Sequence, residues 1–106
     1  MYQPKFSLII PVYNTKIELL IRCMDSVILQ TYKSYEIILI DDGSDSIYAK
    51  ELDGLKNTYK NLYVYHIAHS GVSNARNIGV SLSAGDWIFF IDSDDVYNGP
   101  PVKTTF

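Results

Sequence analysis

Four short apolar runs alternate with helical patterns along the chain, and each run predicts a strand. The predicted strands cover residues 7–12, 37–40, 62–67 and 87–91. The first, second and fourth runs show no polar alternation, which is typical of parallel strands that are covered on both faces. The third run alternates loosely between tyrosines and aliphatic residues, and this pattern favours a strand at the edge of the sheet.

Helical patterns fill the three intervals between these strands. Apolar residues recur at helical spacing over residues 17–28, more weakly over residues 46–59, and again over residues 73–82. Gly85 follows the third pattern, and we expect it to end that helix in the left-handed conformation. Three strand–helix–strand units in succession predict an α/β fold: an open, mostly parallel twisted sheet with helices on both faces.

Composition narrows the class of protein. With 106 residues the chain has room for one domain, and 47% hydrophobic against 20% charged residues indicates a globular protein. A formal charge of −3 and no basic run argue against a nucleic-acid partner. No apolar stretch is long enough for a signal peptide or a membrane span. Cys23 is the single cysteine of the sequence, so it cannot form a disulfide within the chain. We therefore predict a cytoplasmic location, peripheral at the inner membrane surface in a full-length parent, with Cys23 as a small buried hydrophobe.

Polar clusters stand where each predicted strand ends, at residues 11–14, 41–44, 69–73 and 92–95. In open α/β sheets, ligands bind beyond the carboxyl ends of the strands, where the strand order reverses. The four clusters therefore predict one composite binding site at that edge of the sheet.

Asp92 and Asp94, in the cluster after the fourth predicted strand, are candidate ligands for a metal ion. Two carboxylates on one tight turn raise each other's pKa unless a cation or hydrogen bonds offset the repulsion. Oxygen ligands of this kind suit Mg²⁺ or Mn²⁺, which bind through one or two carboxylates plus substrate phosphates. The alternative is an acidic turn that caps a following helix.

The other three clusters offer groups for a nucleotide, each with a structural alternative. Asp41 and Asp42 can accept hydrogen bonds from a base or ribose, or form an Asx turn before the next helix. Tyr13 can stack on a base or pack over the first helix. Gly71 allows a diphosphate to approach backbone amides, and Arg76 can reach a phosphate or a neighbouring carboxylate.

The two histidines of the chain, His66 and His69, lack metal-ligand spacing, and we predict no catalytic role for them. The sequence contains no Walker loop and no dinucleotide-binding glycine motif.

With these clusters in this order, the chain resembles the N-terminal half of family 2 glycosyltransferases of the GT-A fold. The matching stretches are SLIIPVYN at 7–14, SVILQTY at 26–32, EIILIDDGSD at 36–45, GVSNARNIG at 71–79 and GDWIFFIDSDD at 85–95. The resemblance implies a strand order of 3-2-1-4, with residues 1–98 as the nucleotide-sugar-binding half. Residues 99–106 depart from the family's pattern, and because their two prolines resist a helix we predict an irregular tail there.

The resemblance also implies a role for each matching position. Tyr13, with Pro11 beside it, packs against the base, and Asp42 recognises the base edge while Asp41 supports that strand end. Arg76 lies near the base and diphosphate. Asp92 and Asp94 hold the divalent metal, Asp92 also facing the ribose.

The implied activity is transfer of a sugar from a nucleotide-diphosphate donor, in particular a UDP-linked one, to a hydroxyl of a carbohydrate or lipid-linked acceptor in polysaccharide biosynthesis. The reaction inverts the anomeric centre and depends on Mn²⁺ or Mg²⁺. The catalytic base belongs to the half that follows, so we expect the 106 residues to bind nucleotide as a truncated fragment. We also expect self-association through the fourth strand, because its apolar edge lacks a neighbour.

Two alternatives from other classes stay open. A non-catalytic nucleotide-binding module would bind the same ligand and transfer nothing. A phosphohydrolase of the haloacid dehalogenase type also carries two aspartates after an apolar strand, but there the motif opens the domain, whereas here it stands near the end of the sequence.

Overall fold

The structure is a computed structural model that describes residue 4 and residues 6–31, 34–92 and 102–103. Strands and helices alternate along it. They are β1 (Phe6–Val12), α1 (Ile17–Thr31), β2 (Tyr35–Asp42), α2 (Ser46–Gly54), β3 (Leu62–Ile67), α3 (Val72–Leu82), β4 (Trp87–Phe90) and β5 (Val102–Lys103). A 3₁₀ turn at Leu55–Asn57 continues α2, so the predicted second helix tightens at its end. None of the helices in these ranges is both long and apolar enough to cross a membrane.

The strands form one sheet in the order β3-β2-β1-β4-β5, and the first four are parallel. β1 lies in the middle, where Ile9 pairs with Ile38 of β2 and Phe90 of β4. The predicted fold class and the order 3-2-1-4 are confirmed, and β3 is an edge strand as predicted. The apolar β1 and β2 are buried along almost their whole length because helices cover both faces.

β5 corrects two predictions about the end of the chain. It pairs antiparallel with β4, placing Val102 beside Ile88 and Lys103 beside Trp87. The prediction of an irregular tail over 99–106 is therefore wrong at these two positions, and β4 is not a bare edge there. Two prolines precede β5 and lack N–H donors, but the residues after them keep theirs, so sheet pairing can resume.

Self-association through β4 stays a prediction, and its structural basis is reduced. Among the described residues, β5 pairs with Trp87 and Ile88 of β4, and no described residue pairs with Phe89 or Phe90 on that side. Of these two rings, Phe89 is buried and Phe90 is exposed.

Two apolar clusters cover the faces of the sheet. The larger one joins β1, β2 and β4 to α1 and α2, and includes Leu8, Ile10, Leu20, Cys23, Met24, Ile37, Leu39, Leu52 and Phe89. The smaller one lies under α3 and contains Ile38, Ile40 and Ala75. The thiol of Cys23 is fully buried and forms no disulfide, which agrees with the prediction of a small buried residue.

The end of α3 differs from the prediction. Ser83 after α3 is extended, with φ −76° and ψ 147°, so the helix ends without a left-handed glycine. Gly85 instead lies against β1, where an added Cβ would come within 2.6 Å of Ser7 Oγ and 2.8 Å of the Phe6 carbonyl carbon. The glycine is needed for close approach of two backbone segments, which a sequence pattern does not distinguish from a helix cap.

A buried polar network fixes the same turn at the amino ends of the strands. The hydroxyl of Ser7 donates to Glu36 Oε2 at 2.6 Å, and the N–H of Ala84 donates to the same oxygen at 2.7 Å. Ser7 Oγ also accepts from the N–H of Gly85 at 2.8 Å. The network joins β1, β2 and the α3–β4 turn at the edge of the sheet opposite the polar clusters.

Candidate functional site

A cavity of about 250 Å³ lies at the carboxyl ends of β1 and β2. It is lined by Pro11, Val12, Tyr13, Asp42, His69, Gly71 and Val72. Four of the predicted nucleotide-binding positions are therefore brought together, from segments up to sixty residues apart in the chain. The remaining predicted positions, Asp41, Arg76 and Asp92, do not line this cavity.

Tyr13 follows β1 directly and presents a half-exposed ring. Its centroid lies 4.3 Å from that of the His69 ring, with an interplanar angle of 34°. The two rings form an aromatic wall, and the buried Pro11 precedes it in β1.

Asn14 fixes the backbone next to Tyr13. It adopts a left-handed conformation, with φ 49°, which asparagine tolerates better than most residues. Its N–H donates to Ser44 Oγ at 2.9 Å, and its Oδ1 accepts from the N–H of Asp45 at 2.8 Å. These bonds hold the loop after β1 against the loop after β2.

Asp42 joins β2 to the start of α3. The side chain is 5% exposed. Its Oδ1 accepts from the N–H of Ser70 at 2.8 Å and from the Ser70 hydroxyl at 3.3 Å. Its Oδ2 accepts from the N–H of Gly71 at 2.9 Å and lies 3.2 Å from His69 Nδ1. Three hydrogen bonds thus hold the Asp42 carboxylate against the loop before α3, out of about four acceptor positions that a carboxylate offers.

Gly71 precedes α3 with φ 100°, a conformation that favours glycine. An added Cβ would meet no atom within 4 Å, so the backbone conformation and not a lack of space requires glycine here. Its N–H points to Asp42. The loop before α3 is thereby held in place beside the cavity.

The side chain of Asp41 lies on the face of the sheet opposite to that of Asp42. Its Oδ1 accepts from the N–H of Ser44, three residues on, at 2.9 Å, so Asp41 closes the loop after β2 in place of the Asx turn given as the alternative. Its Oδ2 lies 2.6 Å from His66 Nδ1, and Asp53 Oδ1 lies 2.8 Å from His66 Nε2. The hydrogen bonds to Asp53 and then Asp41 raise the pKa of His66 above 6.5, while partial burial opposes them.

Both histidines thus have contacts that the sequence reasoning missed. In the parallel register Asp41 stands directly beside His66, so an alignment of the second and third strands could have found that pair. No comparable signal exists for His69, because it lies on a loop beyond the end of β3.

Arg76 and Asp92 form an ion pair beyond the first turn of α3, with Arg76 Nη2 at 3.0 Å from Asp92 Oδ1. Both side chains are partly exposed, and Arg76 Nε is buried without a hydrogen-bond partner in the described part of the chain. Arg76 also lines an open cavity of about 380 Å³ with Ser73, Asn77 and Phe90. The two cavities flank the beginning of α3.

The structure describes one of the two predicted metal ligands. Asp92 follows β4, its carboxylate is exposed, and its carbonyl oxygen accepts from the Cys23 thiol at 3.3 Å. Asp94 lies outside the described residues. Within residues 4, 6–31, 34–92 and 102–103, no three His, Cys, Asp or Glu side chains are grouped to hold a metal ion.

The fold is that of GT-A glycosyltransferases, and solved structures match it over most of this chain. A crystal structure of S. aureus TarS 1-349 in complex with UDP matches with a TM-score of 0.73 and 28% sequence identity. The match covers 87% of this chain and 28% of that one. A crystal structure of S. aureus TarS matches with a TM-score of 0.72 over 17% of its chain.

The sequence profile described as Glycosyl transferase family 2 matches residues 7–101, and the chain belongs to this family. An uncharacterized glycosyltransferase of Rickettsia felis is 41% identical over 92% of this chain and 16% of its own length. A poly(ribitol-phosphate) beta-glucosyltransferase of Bacillus spizizenii is 37% identical over 86% of this chain and 15% of its own length. The chain spans between 13 and 33% of the length of the curated relatives that it matches here.

Proposed function

We propose that this chain binds the donor of a metal-dependent glycosyltransferase reaction, and that the donor is a UDP-linked sugar. The observation that carries the proposal is the cavity bounded by Tyr13, Asp42 and Gly71 at the carboxyl ends of β1 and β2. The proposal is also supported by the similarity of the fold to that of S. aureus TarS 1-349, whose crystal structure is a complex with UDP.

The base is proposed to lie in the 250 Å³ cavity. The exposed ring of Tyr13 offers a surface for stacking, and Pro11 and Val12 provide apolar contacts. Asp42 holds the Ser70–Gly71 loop at the side of the cavity through hydrogen bonds that a neutral residue could not reproduce in full. A direct contact from Asp42 to the base stays a prediction.

The diphosphate is proposed to lie toward Arg76 and Asp92. The chain carries a net charge of −3, so a local cation is needed beside an anionic ligand. Arg76 supplies one, and its guanidinium is already oriented by Asp92. In this proposal Asp92 also faces the ribose.

The donor set fits a divalent metal, because the Asp92 carboxylate is exposed at the carboxyl end of β4 and Asp94 follows two positions later. Asp92 and Asp94 are the residues proposed to hold Mn²⁺ or Mg²⁺. When bound, the metal supplies a Lewis acid that stabilises negative charge on the departing nucleoside diphosphate. The residues of this chain bind and orient the donor for that departure.

We further propose that transfer inverts the anomeric centre and uses an acceptor hydroxyl of a carbohydrate or lipid-linked substrate. The proposed base that takes the acceptor proton belongs to sequence beyond these 106 residues, of the kind that the much longer relatives have. On this proposal the 106 residues bind donor and transfer nothing alone.

Isothermal titration calorimetry of the 106-residue chain with UDP, CDP, GDP and ADP, each with Mn²⁺ and with EDTA, tests the proposal. We expect UDP to bind most tightly and binding to weaken when Mn²⁺ is removed. If no nucleotide binds in Mn²⁺, the proposed function is wrong. Equal binding with and without Mn²⁺ contradicts the metal site alone.

A further inference from the structure

Asp92 is contacted from both faces of the sheet. Its carboxylate oxygen Oδ1 lies 3.0 Å from Nη2 of Arg76 on α3, and its main-chain oxygen accepts from the Cys23 thiol of α1 at 3.3 Å. The two helices cover opposite faces of the sheet. Asp92 is one of the residues proposed to hold the metal, so the following inference rests on the proposed function.

The pairing between β1 and β4 stops just before Asp92. β4 ends at Phe90, and the N–H of Ile91 still donates to the main-chain oxygen of Ile9 at 3.1 Å. Residues two apart in a strand direct their main-chain groups to the same side, so Pro11 stands where the next donor toward β4 is needed. Proline has no N–H to donate. β1 therefore cannot hold the chain at the point where it leaves the sheet.

The Cys23 thiol acts at that point. Its side chain is fully buried in the larger apolar cluster and lines neither of the two cavities beside α3. The carbonyl that it contacts belongs to the peptide unit leading from Asp92 toward Asp94. A hydrogen bond to this carbonyl limits rotation about ψ of Asp92. It thus restrains the main chain between the two carboxylates that are proposed to bind the metal.

We propose that Cys23 is a positioning residue of the metal site, whose thiol holds the main chain of Asp92 so that less ordering is needed when the metal binds. Preorganisation of this kind increases affinity, because less conformational entropy is lost on binding. The role requires a hydrogen-bond donor at position 23. Filling the core requires only a small apolar side chain, so the two roles make opposite predictions for serine and alanine.

The test compares Cys23→Ser, which keeps a donor, with Cys23→Ala, which removes it. Calorimetry of the 106-residue chain measures UDP affinity with Mn²⁺ and with EDTA, and the ratio of the two affinities is the gain from Mn²⁺. Ile37→Val, a truncation at the start of β2 in the same apolar cluster, is the control for a general loss of stability. Circular dichroism and urea unfolding check the fold of each variant.

We expect Cys23→Ala to reduce the gain from Mn²⁺ about two- to fivefold, the effect of one weak S–H···O bond. Cys23→Ser should keep most of the gain, although it buries a hydroxyl in an apolar cluster. In EDTA all variants should bind UDP as the unchanged chain does. Ile37→Val should lower stability and leave the gain unchanged.

The S–H stretching band gives a second measurement that needs no substitution. Cys23 is the single cysteine of the sequence, so its infrared band has one source. We expect the band to shift when UDP and Mn²⁺ are added together and to stay in place with UDP in EDTA. If Cys23→Ser does not fold, this band decides the result.

Failure of this inference is distinguishable from failure of the proposed function. A gain from Mn²⁺ as large in Cys23→Ala as in the unchanged chain limits Cys23 to core packing, and the proposed function stands. An equal loss in Cys23→Ala and Cys23→Ser with an unmoved S–H band leads to the same conclusion. If no nucleotide binds in Mn²⁺, the proposed function fails, and this inference fails with it.

Discussion

The N–H of Gly71 donates to Oδ2 of Asp42 across 2.9 Å, and this bond connects the end of β2 to the first turn of α3. The Ser70 N–H donates to the other carboxylate oxygen at 2.8 Å. Two adjacent backbone amides therefore share one nearly buried carboxylate. The shape of the loop beside the cavity depends on both oxygens being acceptors.

Asp42→Asn should destabilise the fold, because its amide NH₂ faces a backbone N–H where an oxygen stood. We expect the free energy of unfolding to fall by about 1–3 kcal/mol. Urea unfolding measures the loss. Asp45→Asn is the matched control, since its side chain is exposed and accepts only a 3.5 Å contact from Asn14 Nδ2. Equal stability of the two variants would show that the loop does not depend on the Asp42 carboxylate.

Tyr13 should contribute to nucleotide binding through its ring and not its hydroxyl. Tyr13→Ala removes the stacking surface and should weaken UDP binding about tenfold, whereas Tyr13→Phe should change it little. Calorimetry in Mn²⁺ gives both affinities. A loss in Tyr13→Phe as large as that in Tyr13→Ala contradicts the stacking role.

The effect of losing a proposed metal ligand should be distinguishable from the effect of losing the ion pair between Arg76 and Asp92. Asp92→Asn and Asp94→Ala each remove a carboxylate and should abolish the gain in UDP affinity that Mn²⁺ provides. Arg76→Gln breaks the same ion pair but leaves both carboxylates, so it should weaken UDP binding and keep the response to Mn²⁺. Titrations with Mn²⁺ and with EDTA compare the three. A normal Mn²⁺ response in Asp94→Ala argues against the metal site.

Glu36 should stabilise the sheet at the edge away from the site. Glu36→Ala leaves the Ser7 hydroxyl and the Ala84 N–H without their buried acceptor, and we expect a loss of about 1–3 kcal/mol. Glu36→Gln keeps one side-chain oxygen and should lose less. Glu51→Ala, on the exposed side of α2, is the control in the same urea experiment. Nucleotide affinity, measured where each variant is folded, should not change.

His66 should make the stability of the fold depend on pH. Its pKa is raised above 6.5 by hydrogen bonds to Asp53 and Asp41, so the folded chain binds the proton more tightly than the unfolded chain. The contribution is fully present below 6.5 and is lost as pH rises through the folded pKa.

The stability advantage of the unchanged chain over His66→Asn should therefore be constant below pH 6.5 and shrink as pH rises from 6.5 through the raised folded pKa. Asp53→Asn removes the exposed partner and should reduce the pH dependence without disturbing the buried Asp41. Urea midpoints across this range measure the effect, and NMR titration of the imidazole checks its origin. A constant difference at every pH contradicts the assignment.

The four long strands and their order could be predicted because the apolar runs are continuous and the connections are helical. Each predicted strand lies within two residues of the observed bounds. The gathering of Pro11, Tyr13, Asp42 and Gly71 also followed from parallel topology, since the carboxyl ends of the strands share one edge.

The sequence could not show which partner each polar side chain selects. Asp41 and Asp42 are adjacent, yet a strand turns successive side chains to opposite faces, so Asp41 reaches His66 while Asp42 reaches Ser70 and Gly71. The close approach of Gly85 to Ser7 likewise joins residues 78 positions apart. Such contacts depend on three-dimensional packing and leave no periodic pattern.

The central position of β1 has a consequence for how the chain is synthesised. β1 can pair with β2 early in synthesis. Its other neighbour, β4, is made about eighty residues after β1, a separation similar to the 78 positions between Ser7 and Gly85, which are hydrogen-bonded in the fold. At ordinary translation rates that interval lasts about 4–16 s. Throughout it, the apolar flank around Ile9 is an unpaired edge on the nascent chain. An unpaired strand edge can pair with another chain, and this edge is closed only once β4 has been made, because in the finished sheet both flanks of β1 are occupied.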